Sequence, residues 1–259
     1  MKNIFSLFIL MLFAEQFCFA TIRNSSDTIT VVKRECKASV VDGNNSSTFS
    51  LTYFEFDSLP IPLRDSVKKI FEKFVKEGFY SEDTTFDIKQ IATQFIFPLP
   101  KNVVDGNDDH SYTGTFSIIS ETKHTLSLAS SYSTEGPWQW FGNHGGQHAS
   151  DYFVLNKSTG KKLTFGDFIQ STKLSEFKKI DFKYLENNMA GNESSNEPGN
   201  EQNHKFGEQL YYSLYSTFYI DKNGLHRFFA GWDYGQFYST EYLIPIKELK
   251  PLLRKDFEW

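Results

Sequence analysis

The sequence predicts an α+β fold: a mostly antiparallel sheet with helices packed on it, in two small subdomains. Three observations predict it. Strand-like alternation and helical periodicity come in blocks rather than in strict alternation. Two turn signals, DGNNSS (42–47) and DKNG (221–224), each join alternating stretches. The 259 residues, 39% of them hydrophobic, are enough for one large core or two small ones.

The elements follow in order. Residues 1–20 read as a secretory signal peptide: Lys2 precedes the apolar run IFSLFILMLF (4–13), and Cys18 and Ala20 suit a signal peptidase. The run is short for a bilayer anchor. The alternatives are an uncleaved anchor and a lipid on Cys18. Removing residues 1–20 deletes Lys2 and Glu15, so the net charge stays at -5. Cys36 is then the only cysteine, which excludes an intrachain disulfide. It reads as a buried small hydrophobe.

Residues 21–135 are expected to form an N-terminal α+β domain. DTITVVKRECKASVV (27–41) and TFSLTYFEF (48–56) make a hairpin, and Pro60 and Pro62 stop that sheet. LRDSVKKIFEKFVKEG (63–78) places Leu63, Val67, Ile70, Phe71, Phe74 and Val75 on one helical face, with Gly78 as the stop. A shorter helix fits 86–96, 101–110 reads as a loop, and YTGTFSIIS (112–120) and HTLSLASSYST (124–134) read as strands.

Residues 136–259 are expected to form a second α+β domain. SDYFVLN (150–156) is a strand, KSTGK (157–161) a tight turn, and LTFGDFI (163–169) a helical turn capped by Thr164. SEFKKIDFKYLENNM (175–189) is an amphipathic helix with Ser175 as cap. GNESSNEPGNEQN (191–203) carries no apolar residue and is expected to be a mobile loop. STFYI (216–220) and LHRFFA (225–230) form a hairpin, followed by the strand STEYLIPI (239–246) and the closing helix KELKPLL (247–253).

The balance of 27 Lys and Arg against 32 Asp and Glu, with no long basic run, gives nucleic-acid binding no electrostatic support. The sequence holds no Gly-x-Ser-x-Gly elbow, no His-Glu-x-x-His, no phosphate-binding glycine loop and no Cys-x-x-Cys. The candidates concentrate in WQWFGNHGGQHASDYF (138–153). His144 and His148 would share one face of a helix, and Asp151 would complete a three-ligand site for a metal-dependent envelope hydrolase. Gly145 and Gly146 oppose that, since two glycines cost roughly 2 kcal/mol in a helix interior relative to alanine. The segment therefore reads as a glycine-hinged loop in which His148 serves structure, and no metal or cofactor is expected. Trp138, Trp140 and Phe141 in one loop, and Trp232 and Tyr234 in GWDYGQFY (231–238), offer contact area to a protein or glycan. The competing reading places these rings in the core.

GGQHASDYFVLNKSTGKKLTFGDFI (145–169), FYIDKNGLHRFFA (218–230) and YLIPIKELKPLL (242–253) together resemble the RsiV-like extracytoplasmic family, domain of unknown function 3298. Gly145, Gly146 and His148 match the family's Gly-Gly-Ala-His element, with Gln147 in place of alanine. Thr159, Gly160 and Lys161 match its turn, and Gly224 and Pro245 its later parts. The preceding region resembles the usually upstream domain of unknown function 4163. The resemblance implies binding or sensing at the cell envelope. Members include the lysozyme-sensing ectodomain of an anti-sigma factor, and related domains accompany a deacetylase whose catalysis lies in a separate domain. It implies no catalytic residue here. The family's proline- and tyrosine-rich loop is replaced by the shorter GWDYGQFYSTE (231–241). No membrane span is expected after signal removal, so an anti-sigma role is not expected. The expectation is an exported, periplasmic or secreted, non-catalytic binding protein whose partner is an envelope protein or glycan.

Overall fold

The structure, a computed structural model, describes residues 18–21, 29–42, 45–56, 58–79, 88, 90–92, 109–135, 147–191, 215–233 and 236–259. It is α+β, as the sequence predicts. Strands β1 (Cys18–Thr21), β2 (Thr30–Asp42), β3 (Asn45–Phe56), β4 (Asp109–Glu121), β5 (Thr125–Glu135) and β6 (Gln147–Asn156) form one sheet in that order. β7 (Tyr215–Ile220), β8 (Gly224–Asp233) and β9 (Gln236–Pro245) form an antiparallel sheet of three. β2 pairs antiparallel with β3, whereas β3 pairs in parallel with β4. A helix lies between β3 and β4 in the chain, and a helical crossover is what a parallel neighbour requires. The first sheet is therefore mixed.

The chain divides into two compact units: Met1–Ser117 with Ala129–Asp151, and Ile118–Leu128 with Tyr152–Trp259. In the first, α1 (Ile61–Phe79) starts earlier than predicted and takes Pro62 into its first turn, where the missing N–H has no partner to lose. Leu63, Val67, Phe74 and Val75 are buried, as the periodicity requires. Phe71 and Phe74 meet Phe116 at 5.2 and 6.1 Å between ring centroids, and Phe49 stacks on Tyr112 at 5.3 Å. Burial pushes the Tyr112 hydroxyl well above its usual pKa. Cys36 sits half-buried on β2, opposite Leu51.

The second unit carries α2 (Phe165–Phe168), a 3-10 turn (Ser171–Lys173), α3 (Leu174–Gly191), α4 (Ile246–Leu249) and a second 3-10 turn (Lys250–Leu252). Its core joins Leu225, Phe229 and Ile244 of the three-stranded sheet to Phe168, Phe177, Leu185 and Leu249.

Several sequence expectations move. Asp109 and His110 belong to β4 rather than to a loop, and β6 begins at Gln147. His148 therefore lies within a strand. Ser175 is inside α3 and does not cap it, because the turn Ser171–Lys173 feeds the helix directly. The strand Cys18–Thr21 was not anticipated; it pairs with Thr30–Lys33. Of the predicted second helix, residues 88 and 90–92 are helical, and 192–203 lie outside the described residues.

Candidate functional site

Two polar clusters sit on opposite faces of the three-stranded sheet. Cross-strand register fixes which residues share a face: Phe218, Arg227 and Tyr242 are partners, and so are Tyr219, His226 and Leu243. Side chains alternate along a strand, so Leu225, Arg227 and Phe229 point one way and His226 and Phe228 the other.

On the core face Arg227 is a buried cation. Its Nε donates to Asp181 Oδ1 at 3.0 Å and Oδ2 at 3.2 Å, with side chains 2% and 0% exposed. The Tyr242 hydroxyl donates to Asp181 Oδ1 at 2.7 Å, and Arg227 Nη1 donates to the Thr217 carbonyl at 3.4 Å. The guanidinium lies between the Phe165 and Phe229 rings, 4.6 Å from each centroid. A charge pair this deep is tolerated because hydrogen bonds complete both groups. Sealed from solvent, the cluster holds the sheet to α3 and offers a substrate nothing. The sequence carried a signal for it. Arg227 stands at the inward phase of LHRFF, and Asp181 is four residues from both Phe177 and Leu185.

On the other face Tyr219 stacks on His226 at 4.2 Å, with planes 9° apart. Tyr152 of β6 meets Tyr219 at 5.1 Å and Phe228 edge-on at 5.6 Å. The Tyr219 hydroxyl donates to Glu241 Oε1 at 2.9 Å. His226 Nδ1 lies 3.6 Å from that oxygen, and Nε2 lies 3.3 Å from Asp221 Oδ2. Nε2 is buried, and the Asp221 contact does not align as a hydrogen bond. Burial and the Glu241 carboxylate raise the pKa of Tyr219 far above its usual value. These rings are half-buried and Glu241 is exposed.

Turns place this face. Asp221 Oδ1 accepts from the N–H groups of Asn223 and Gly224, at 2.8 and 3.0 Å. A Cβ on Gly224 would stand 2.1 Å from the Ile244 carbonyl oxygen, so glycine is required there. The indole of Trp259 donates to the Asp221 carbonyl at 2.8 Å. In the Thr-Gly-Lys turn, Gly160 has φ 70° and Asn156 Oδ1 accepts from the N–H groups of Ser158 and Thr159.

Of the residues singled out in the sequence, Trp138, Trp140, Phe141, His144, Gly145, Gly146 and Tyr234 lie outside the described residues. His148 and Asp151 are on β6, with Asp151 half-buried. Trp232 is on β8, opposite Phe237 in register. Among the described residues no group of three or more His, Cys, Asp or Glu is placed to hold a metal ion, and no helix is long and apolar enough to cross a membrane.

No protein-family model matches the chain, and no curated protein matches it. Solved structures do. A DUF3298 family protein of Pseudomonas aeruginosa aligns at 10% identity and TM-score 0.57, covering 86% of this chain and 94% of that one. A DUF3298 family member from Bacteroides fragilis aligns at 12% identity and TM-score 0.53, covering 95% of each chain. At these identities the likeness is one of fold.

Proposed function

We propose that the chain is an exported, non-catalytic binding or sensing protein of the cell envelope, recognising a lysozyme-like protein or a cell-wall glycan. The observation that carries this reading is the outer face of the three-stranded sheet. There Tyr152, Tyr219, His226 and Phe228 form a half-exposed aromatic surface beside the Glu241 carboxylate. Rings with polar edges supply large, rigid contact area to protein and sugar partners. The buried charges of the same unit are bonded to one another instead, as Arg227 and Asp181 are.

The likeness to DUF3298 structures supports the RsiV-like reading, to which the upstream domain of unknown function 4163 and the division at residue 135 also belong. The signal-like segment at residues 1–20 supports export to the periplasm or beyond, with a lipid on Cys18 as the anchored alternative. Trp138, Trp140, Phe141, Trp232 and Tyr234 extend the proposed contact surface.

The test is equilibrium binding of a lysozyme and of soluble cell-wall fragments to the immobilised full chain, followed by mass spectrometry of the fragments. Saturable binding of one probe with unchanged fragment masses is expected. Shortened or deacetylated fragments would overturn the non-catalytic reading, and binding of neither probe would overturn the recognition reading.

A further inference from the structure

We infer that the outer face of the three-stranded sheet recognises a cationic polypeptide segment, with Glu241 as the charge partner of an arginine or lysine side chain. This rests on the binding reading above and names the partner chemistry of the same face.

The Glu241 side chain is 43% exposed, yet it is not free to turn. Tyr219 donates to its Oε1 at 2.9 Å, which leaves Oε2 with no donor among the described residues. A carboxylate held in place before the partner arrives loses little freedom on binding. Asp221 supplies a second negative charge at the same face, but Asn223 and Gly224 already occupy its oxygens. None of Thr217, Tyr219, His226, Phe228, Glu241 and Leu243, which register places on this face, is Lys or Arg. Among these described residues the face carries carboxylates and no Lys or Arg, with the His226 ring standing between Glu241 and Asp221.

Beside that carboxylate stand the Tyr219, Tyr152 and Phe228 rings. A guanidinium uses both features at once: its N–H fork bonds a carboxylate, and its plane lies against aromatic rings. A neutral glycan offers the carboxylate hydroxyl donors but no opposite charge, whereas a guanidinium or ammonium offers both, so a basic segment fits better.

The experiment is fluorescence anisotropy of a labelled peptide of alternating arginine and glycine, with the full chain as binder. The same peptide with citrulline for arginine is the neutral control. The expected result is binding of the arginine peptide that weakens with added salt, and at least about tenfold weaker binding of the citrulline peptide. Glu241→Gln should weaken the arginine peptide about tenfold at an unchanged melting temperature. Tyr219→Phe, which frees the carboxylate, should weaken it less. Equal binding of the two peptides, or an unaffected Glu241→Gln, would overturn the inference. So would a glucosamine oligomer that displaces the peptide at lower concentration, which would assign the face to amino sugars. Loss of envelope-partner binding with the arginine peptide still bound would contradict the proposed function and leave this inference standing.

Discussion

Ser127 Oγ takes the place of a missing strand beside Ile220. It donates to the Ile220 carbonyl at 2.8 Å and accepts from the Ile220 N–H at 3.1 Å. Further along β7, Thr217 Oγ1 accepts from the Tyr152 N–H at 3.0 Å and donates to the Tyr152 carbonyl at 2.7 Å. One hydroxyl thus satisfies β7 at Ile220 and the other satisfies β6 at Tyr152, backbone groups that would otherwise invite another chain. Ser127→Ala leaves the buried Ile220 N–H bare, while Ser120 still serves the carbonyl. Urea unfolding should show a loss of about 1–3 kcal/mol. A loss within about 0.5 kcal/mol, the range of an ordinary surface change, would contradict this role.

Arg227 and Asp181 make a second prediction. Arg227→Met removes the cation and leaves the fully buried Asp181 carboxylate without its counter-charge, at a cost of about 3–5 kcal/mol. Adding Asp181→Leu should recover most of that loss, because two apolar side chains then meet. A double variant as unstable as Arg227→Met alone would show that the carboxylate is held by other partners. Denaturant midpoints of the three proteins decide it.

Asp167 sets a pH dependence. Lys161, then the hydroxyl and N–H of Thr164, hold its carboxyl at about 2 against an ordinary 3.8. A depressed folded-state value contributes stability above the unfolded value and loses it as pH falls through the folded one. The contribution is therefore whole above about pH 4 and fades toward pH 2. Wild type should melt above Asp167→Asn at pH 6, and the gap should close as pH falls below 4. A gap that stays constant would contradict the assignment.

Gly224→Ala should destabilise by about 3 kcal/mol, the upper end for a forced insertion, because its Cβ would overlap the Ile244 carbonyl. Gly160→Ala must hold an alanine at φ 70°, at a cost of about 1 kcal/mol. Thermal melts should rank the two in that order. Equal losses would mean that the hairpin end relaxes.

Much of the fold was legible because local rules and packing agree. The DKNG turn, α1 and the Thr164 cap each follow from one segment; the turn and the cap stand where the sequence puts them, and α1 extends past its predicted ends to Ile61 and Phe79. The outer face was not legible. Tyr219 and Glu241 are 22 residues apart, and only the β7–β8–β9 register brings them together. Nothing local in LHRFFA marks His226 either, because its partners Tyr219 and Glu241 come from the neighbouring strands. Arg227 and Asp181 could have been found from their inward phases, although nothing local says that they meet.

The most direct test of the account is an equilibrium titration of a lysozyme and of soluble cell-wall fragments against the full chain and its Glu241→Gln variant. Both proteins are held below their melting temperatures. The account predicts saturable binding of one probe by the wild type, weakened at least about tenfold by loss of the Glu241 charge. Identical binding by the two proteins, or no binding by either, would contradict it.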